Sequence, residues 1–258
     1  MTDTNSPAAE IDVDGRPIAF RRQAGANPGL VWLGGYRSDM MGTKAETLAA
    51  YAQENGLAFC RHDYSGHGQS GGAFREGTIS RWLTESLAVF DHATDGPQIL
   101  VGSSMGAWIA LRMLEERGGP KGRVAGLVLL APAPDFTRDL VEPRLTEAQR
   151  EALARDGFVS EPSEYGPEPT IYTRALLEDG HRNLVLDRPI HTFCPVHIIQ
   201  GLADPDVPHT HALKLASLLP ADDLTLSLVP GGDHRLSREE DLDLLRRALD
   251  AMRQTIRA

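Results

Sequence analysis

Short, mostly apolar runs recur along the chain and alternate with longer stretches whose apolar residues repeat at helical spacing. The apolar runs are residues 30–33, 57–60, 98–101, 124–130, 196–199 and 224–229. Runs of this kind are typical of strands in a parallel sheet, because helices bury both faces of such a sheet. The amphipathic stretches between and after them are residues 43–54, 79–92, 107–116, 209–219 and 237–256. This alternation predicts an α/β fold with a mainly parallel central sheet and helices on both faces.

The start of the chain and a long interval in its middle depart from this rhythm. Residues 11–20 alternate apolar with polar side chains around Asp14-Gly15, a pattern that predicts an N-terminal β-hairpin. Between 131 and 191 prolines and charges are frequent, and 146–155 is the one helix candidate. An insertion after the strand that ends at Leu130 would lie over the carboxyl ends of the strands, where open α/β folds bind ligands. We therefore expect a single α/β domain, 1–258, with a small cap at 132–191.

Charge and composition limit the classes of partner. The 258 residues include 36 acidic and 26 basic side chains, a net charge of −10, which disfavours nucleic acid or an anionic membrane as the main partner. The chain contains no apolar stretch of transmembrane length, and residues 1–10 lack the pattern of a secretory signal. The two cysteines, Cys60 and Cys194, adjoin apolar runs and have no metal or redox spacing. We therefore expect a cytoplasmic protein.

The most informative motif is Gly102-Ser103-Ser104-Met105-Gly106, which lies between a predicted strand and a predicted helix. In that context Gly-x-Ser-x-Gly indicates a nucleophile elbow, a strained turn that exposes the serine hydroxyl. Glycines two residues before and after the serine leave room for the neighbouring strand and helix. The pattern alone also fits an ordinary loop in a chain with 25 glycines. The flanking segments favour Ser104 as a nucleophile.

Two later loops supply the partners of a serine nucleophile, in the order acid and then histidine. Asp204 follows the fifth apolar run, and His234 follows the last one and precedes the final helix. His234 would accept the Ser104 proton and return it to the leaving group, while Asp204 would hold the imidazole in the required tautomer. Asp206 is the competing carboxylate and Asp233 a less favoured one. Asp204 is preferred because it lies nearer the end of the strand.

The backbone amides of Met105 and Tyr36 are the predicted oxyanion donors. Met105 directly follows the nucleophile, and residues 34–36 follow the first apolar run with two glycines that let the backbone approach closely. Arg37 is a candidate substrate-binding residue, since it can pair with a carboxylate of the substrate. A surface salt bridge is the simpler interpretation of Arg37. The loop 61–68 lies near the site by topology, and structural roles are expected for its two histidines.

A metal site is the competing interpretation of the Asp204 region. Asp204, Asp206, His209 and His211 place four possible ligands within eight residues, and oxygen and imidazole ligands can hold a divalent ion. However, His209 and His211 fall at the start of a predicted helix, where residues two apart do not face the same way. We therefore predict neither a metal nor a cofactor.

Together these motifs resemble the serine hydrolases of the α/β-hydrolase superfamily over nearly the whole chain. Three longer strings resemble the family of mitochondrial palmitoyl-protein thioesterases, also called mycophenolic acid acyl-glucuronide esterases: GYRSDMMGTKA at 35–45, DYSG at 63–66 and DGPQILVGSSMG at 95–106. The resemblance assigns the family's serine, aspartate and histidine to Ser104, Asp204 and His234. It implies cleavage of esters or acyl thioesters through an acyl-enzyme without a cofactor. The start of this sequence lacks a targeting pattern, so a bacterial-type or cytosolic relative is expected.

The predicted function is therefore that of a serine hydrolase acting on a small-molecule ester or acyl thioester, or on an acylated protein. A hydrolase of acyl-glucuronides or other carboxylate-bearing esters is the alternative within enzymes, because of Arg37. A ligand-binding protein on the same fold is the alternative from another class, since a fold does not determine a function.

Overall fold

A computed structural model describes residues 8–163, 168–219 and 223–257. Its main sheet has eight strands in the order β1-β2-β4-β3-β5-β6-β9-β10. The strands are Ala9–Val13 (β1), Arg16–Gln23 (β2), Ala26–Leu33 (β3), Leu57–His62 (β4), Gln98–Ser103 (β5), Val124–Leu130 (β6), Val196–Gly201 (β9) and Leu224–Val229 (β10). β1 and β2 pair antiparallel, as β2 and β4 do, and all other pairs of this sheet are parallel. The predicted hairpin and the mainly parallel sheet are confirmed.

Helices cover both faces of this sheet. Within the described residues, the α-helices are Thr43–Glu54 (α1), Ile79–Ala93 (α2), Met105–Arg117 (α3), Glu147–Asp156 (α4), Arg174–Arg182 (α5), His209–Ser217 (α6) and Glu239–Arg257 (α7). Leu48 of α1 and Leu249 of α7 belong to one buried apolar cluster, while Trp82 of α2 and Trp108 of α3 belong to another. Burial on both faces explains the continuous apolar runs of the central strands. None of these helices, within the ranges described, is both long and apolar enough to span a membrane.

The segment between β6 and β9, residues 131–195, differs most from the prediction. Besides the predicted α4, it contains α5 and a separate antiparallel pair of strands, Phe158–Glu161 (β7) and Thr170–Thr173 (β8). It also contains a π-helical turn, Thr137–Val141, and a 3₁₀ turn, Glu142–Arg144. Strands of four residues are too short for a periodic pattern to stand out. The sequence contains one signal for α5, a threonine at the position before the helix. In the structure Thr173 caps α5, because its side chain accepts a hydrogen bond from the Leu176 N–H at 3.1 Å.

Gly106 lies where the first turn of α3 crosses the end of β3. A Cβ atom on Gly106 would stand 2.0 Å from the carbonyl oxygen of Leu33, so the backbone would have to shift. We expect Gly106→Ala to lower the free energy of unfolding by about 1–3 kcal/mol, the usual cost of overpacking, in a denaturant titration. Gly34→Ala is the control, because its Cβ would meet nothing closer than Ser38 Cβ at 3.7 Å. An unfolding midpoint as unaffected by Gly106→Ala as by the control would contradict this prediction.

Candidate active site

The turn that carries Ser104 joins the end of β5 to the start of α3 and has an unusual backbone conformation. Ser104 has φ 54° and ψ −118°, a region that a non-glycine residue occupies at a cost of about 1–3 kcal/mol. Three backbone hydrogen bonds hold it there: Ser104 N–H donates to Leu130 O at 2.9 Å, and Ser104 O accepts from Ala107 N–H at 3.0 Å and from Ala133 N–H at 3.2 Å. A Cβ on Gly102 would stand 2.5 Å from the Gly106 oxygen. Both glycines of the predicted elbow are therefore required by close contact.

His234 lies between the serine and an aspartate. Its Nε2 is 3.0 Å from Ser104 Oγ, and its Nδ1 is 2.8 Å from Asp204 Oδ2. The side chain of Asp204 is fully buried, and that of His234 is 16% exposed. The three loops that carry these residues follow β5, β9 and β10, whose carboxyl ends meet at one edge of the sheet. The structure thus brings together the serine, acid and histidine that the sequence predicts.

The hydrogen bonds of Asp204 keep its carboxylate charged. Burial by itself would raise its pKa, but the bond from His234 and those from the backbone N–H groups of Val207 and Asp206, both at 2.9 Å, hold the pKa of Asp204 below its ordinary value. A carboxylate with a lowered pKa contributes stability at neutral pH, and that contribution is lost as the pH falls through the lowered value. Asp204 is therefore ionised at neutral pH.

The competing carboxylates occupy other positions. Asp206 lines the cavity beside His234, but the imidazole Nδ1 hydrogen bond goes to Asp204. Asp233 accepts a hydrogen bond from Leu236 N–H at 3.0 Å and so shapes the loop that carries His234. Of the three carboxylates, Asp204 is the one positioned to orient the imidazole.

The metal alternative can be judged from the same atoms. Asp204, Asp206 and His234 each offer a ligand atom, and these atoms lie within 4.8 Å of one another. Both oxygens of Asp204 already accept hydrogen bonds from N–H donors, and a cation there would displace those donors. His211 lies in α6 and is bonded through Nε2 to Pro134 O at 2.7 Å, so it points away from this cluster toward the backbone after β6. The donor set fits a hydrogen-bonded carboxylate–imidazole pair better than a metal site.

The predicted oxyanion loop, residues 34–38, lies against the nucleophile. A Cβ on Gly35 would stand 3.4 Å from both Ser104 Cβ and Ser103 O, and Ser38 N–H donates to Gly35 O at 3.1 Å to close a turn. Met105 is the first residue of α3, where a backbone N–H has no partner within its own helix. Tyr36 and Met105 both line the cavity that contains Ser104.

Side chains of the same loop hold β8 in place. The Tyr36 hydroxyl donates to Ile171 O, and its ring stacks on Tyr172 with centroids 5.7 Å apart and planes within 8°. Burial raises the pKa of Tyr36, so its hydroxyl stays a donor. Arg37 Nη1 donates to Glu168 O at 2.9 Å. Arg37, predicted as a substrate-binding residue or a surface ion pair, therefore lies at the cavity and bonds a main-chain carbonyl of the 131–195 segment.

A cavity of about 500 Å³ opens onto Ser104, within the usual range for ligand pockets. One wall of the cavity is apolar. Met105 and Val207 belong to it, and the 131–195 segment contributes Ala133, Phe136, Leu140, Val141 and Tyr172. A polar wall is formed by Arg37, Ser38, Asp39, Thr43, Lys44, Arg235 and Ser237. Burial lowers the pKa of Lys44 to about 8. Apart from Arg37 and Met105, sequence reasoning did not find these wall residues, because they come from separate segments with no motif in common.

Known proteins similar to this chain identify its family. Residues 34–155 match the Hydrolase_4 family, described as serine aminopeptidase, S33. Mouse mitochondrial palmitoyl-protein thioesterase ABHD10 is 34% identical over 231 residues, which cover 88% of this chain and 76% of the relative. The chain belongs to the ABHD10 family of α/β-hydrolases. Human ABHD10 is 32% identical over 234 residues, covering 90% of this chain and 75% of the human protein.

Solved structures agree with this membership. The structure of mouse ABHD10 superposes with a TM-score of 0.87 at 29% identity, covering 97% of this chain and 100% of the mouse chain. A hydrolase-like protein from Agrobacterium vitis superposes with a TM-score of 0.91 at 56% identity, covering 95% of this chain and 97% of its own. Est1E from Butyrivibrio proteoclasticus shares the fold, with a TM-score of 0.77 at 22% identity over 97% of this chain and 100% of its own. The α/β-hydrolase fold and the family resemblance predicted from the sequence are confirmed, and the chain is a hydrolase related to the ABHD10 thioesterases.

Proposed function

We propose that this ABHD10 relative is a serine hydrolase that cleaves carboxylic esters or acyl thioesters through an acyl-enzyme. The observation that carries the proposal is the continuous path of hydrogen bonds from Ser104 Oγ through His234 to Asp204, at 3.0 and 2.8 Å. This path ends at a cavity large enough for a small ligand. A serine hydroxyl needs such a base to act as a nucleophile near neutral pH.

Each proposed step moves one proton through His234. Ser104 Oγ attacks the carbonyl carbon, its proton passes to His234 Nε2, and the carbonyl oxygen becomes an oxyanion held by the N–H groups of Tyr36 and Met105. The C–S or C–O bond then breaks, and His234 gives its proton to the leaving thiol or alcohol. Water repeats the sequence on the acyl-enzyme, releasing the carboxylic acid and restoring Ser104. Asp204 stabilises the charged imidazole throughout.

The two walls of the cavity suit the two parts of such a substrate. The apolar wall, led by Phe136, Leu140 and Val141, would hold an acyl chain, and the polar wall with Lys44 and Arg235 would face the leaving group. We propose accordingly that 132–191 forms a cap over the site of a single domain. The ABHD10 relatives carry the name palmitoyl-protein thioesterase, which supports a thioester among the substrates, whether on a small molecule or on an acylated protein. A cytoplasmic location stays a prediction.

A substrate panel tests the proposal. The purified chain is assayed with p-nitrophenyl esters and acyl thioesters of increasing chain length, and it is labelled with a fluorophosphonate probe that reacts with activated serines. We expect labelling together with turnover that depends on acyl length. Absence of both would overturn the proposal and favour the ligand-binding alternative.

A second candidate, hydrolysis of carboxylate-bearing esters such as acyl-glucuronides, is favoured by the position of Arg37 on the cavity wall. We expect Arg37→Ala to raise KM about 5- to 10-fold for an anionic ester relative to a neutral ester of the same acyl chain, the effect of losing one charge-assisted hydrogen bond. The ratio of the two KM values matters, because losing the bond to Glu168 O affects both substrates. Arg37→Lys keeps the charge and should preserve most of the ratio. If Arg37→Ala leaves the ratio unchanged, this candidate fails.

A further inference from the structure

Two buried side chains from the loop after β4 hold the backbone of the oxyanion loop. His67 Nε2 accepts a hydrogen bond from the Arg37 N–H at 3.1 Å. Asp63 Oδ1 accepts a hydrogen bond at 2.6 Å from the N–H of Met40, which lies three residues after Arg37. The second oxygen of Asp63 accepts from Gln69 N–H at 2.7 Å, which fastens the supporting loop to itself. The backbone is therefore anchored at Arg37, within the oxyanion loop, and at Met40, just after it, by side chains that do not line the cavity that contains Ser104.

The surroundings of His67 determine which of its nitrogens accepts. Nδ1 lies 3.2 Å from Ser65 O, and since a carbonyl only accepts, Nδ1 carries the hydrogen and Nε2 has the free lone pair. The rings of Tyr64, Phe74 and Trp82 enclose the imidazole, with centroids 5.1 to 5.5 Å away. His67 is 5% exposed, and burial lowers its pKa to about 4. At neutral pH the ring is an uncharged and fixed acceptor.

The bond to His67 acts at a strained point of the loop. Arg37 has φ 63°, in the left-handed region, where a non-glycine residue needs support from its surroundings. The Arg37 N–H belongs to the peptide group that joins Tyr36 to Arg37. The hydrogen bond from Arg37 N–H to His67 therefore restrains the peptide plane next to Tyr36. A tilt of that plane would also turn the Tyr36 N–H relative to Ser104.

We propose that His67 is a positioning residue for the oxyanion donor, acting through the Arg37 amide and without touching the substrate. This inference rests on the proposed serine hydrolase mechanism with Tyr36 N–H as a donor. Misaligning one donor should act on the tetrahedral state and spare the binding of substrate, because the donor bonds strongly only once the oxyanion has formed.

Two variants separate positioning from simple packing. His67→Phe keeps an aromatic ring among the neighbouring rings but removes the acceptor, while His67→Gln keeps an acceptor. We expect His67→Phe to lower kcat about 10- to 100-fold, below the roughly 10²- to 10³-fold cost of losing an oxyanion donor outright, with KM nearly unchanged. His67→Gln should recover much of the loss. His62→Phe is the matched control, since His62 is equally buried and its Nε2 bonds Ser86 Oγ on α2 at 3.1 Å.

Inhibitor binding distinguishes a positioning role of His67 from a packing role. A trifluoromethyl ketone forms a reversible hemiketal with an activated serine and places an oxyanion in the hole, whereas an unreactive ether of the same chain length does not. His67→Phe should weaken ketone binding by the same factor as kcat and leave ether binding unchanged.

Unchanged ketone binding in His67→Phe, or equal weakening of ketone and ether, overturns the inference. If the wild type binds the ketone no better than the ether, the proposed mechanism itself fails. Should His67→Phe not fold, His67→Leu removes the acceptor at similar volume and carries the same test.

Discussion

Replacing Ser104 by alanine is expected to lower ester turnover by on the order of 10³- to 10⁶-fold, the range found when catalytic triads are dismantled. Its hydroxyl oxygen is the atom 3.0 Å from His234 Nε2, so the variant would leave the base with no proton to accept. The cavity and fold should persist, because the strained turn is held by backbone bonds that alanine retains. The measurement is hydrolysis of a p-nitrophenyl ester, with KM or inhibitor binding to show that the site is intact.

The neighbouring serine provides the control for this experiment. Ser103 is the last residue of β5, and its side chain is buried beside the turn. Fluorophosphonate labelling should survive in Ser103→Ala and disappear in Ser104→Ala. Labelling that persists in Ser104→Ala would assign the nucleophile to another residue and overturn the proposed mechanism.

Replacing Asp204 by asparagine should have the second largest effect, a fall in kcat of about 10³- to 10⁴-fold. An amide in place of the carboxylate can offer an N–H to His234 Nδ1, which favours the tautomer whose Nε2 already carries a hydrogen and cannot accept one from Ser104. The asparagine also loses the charge that stabilises the imidazolium. We expect the variant to fold, because its shape is unchanged, and kcat measured at saturating ester reports the loss.

Asp206→Asn is the matched comparison, since it makes the same change two residues away. Asp206 lies on the cavity wall, but the imidazole Nδ1–H donates its 2.8 Å hydrogen bond to Asp204. Asp206 is partly buried, and a carboxylate oxygen of Asp206 lies within 4.8 Å of a ring nitrogen of His234. Removing this charge should weaken the imidazolium only through Coulomb attraction, so a change of less than about tenfold is expected. A loss in Asp206→Asn that equals or exceeds the loss in Asp204→Asn would move the orienting role to Asp206.

Much of the sheet could be read from local patterns. The apolar runs that become β3, β4, β5, β6 and β9 are buried on both faces, so each could be recognised as a strand from its own residues. The run that becomes β10 is apolar as well, although β10 is an edge strand and only partly buried. The ends of α1 match the predicted 43–54, whereas α3 begins two residues before the predicted 107 because the elbow turns directly into the helix. The 131–195 segment resisted the same reasoning. Its strands β7 and β8 have four residues each, and its helix α5 has nine.

The sequence by itself determined the order of the main-sheet strands and of the helices that cover them, the elbow at Ser104 and the two later loops with Asp204 and His234. Those features depend on local spacing and on the rule that parallel strands end at one edge, so no distant contact had to be known. Only the tertiary structure decided that Asp204 rather than Asp206 meets the imidazole. It also decided which side chains form the cavity walls and how His67 supports the backbone at Arg37. Such contacts join residues far apart in the chain, and their distances follow from how loops pack on one another, which no local pattern encodes.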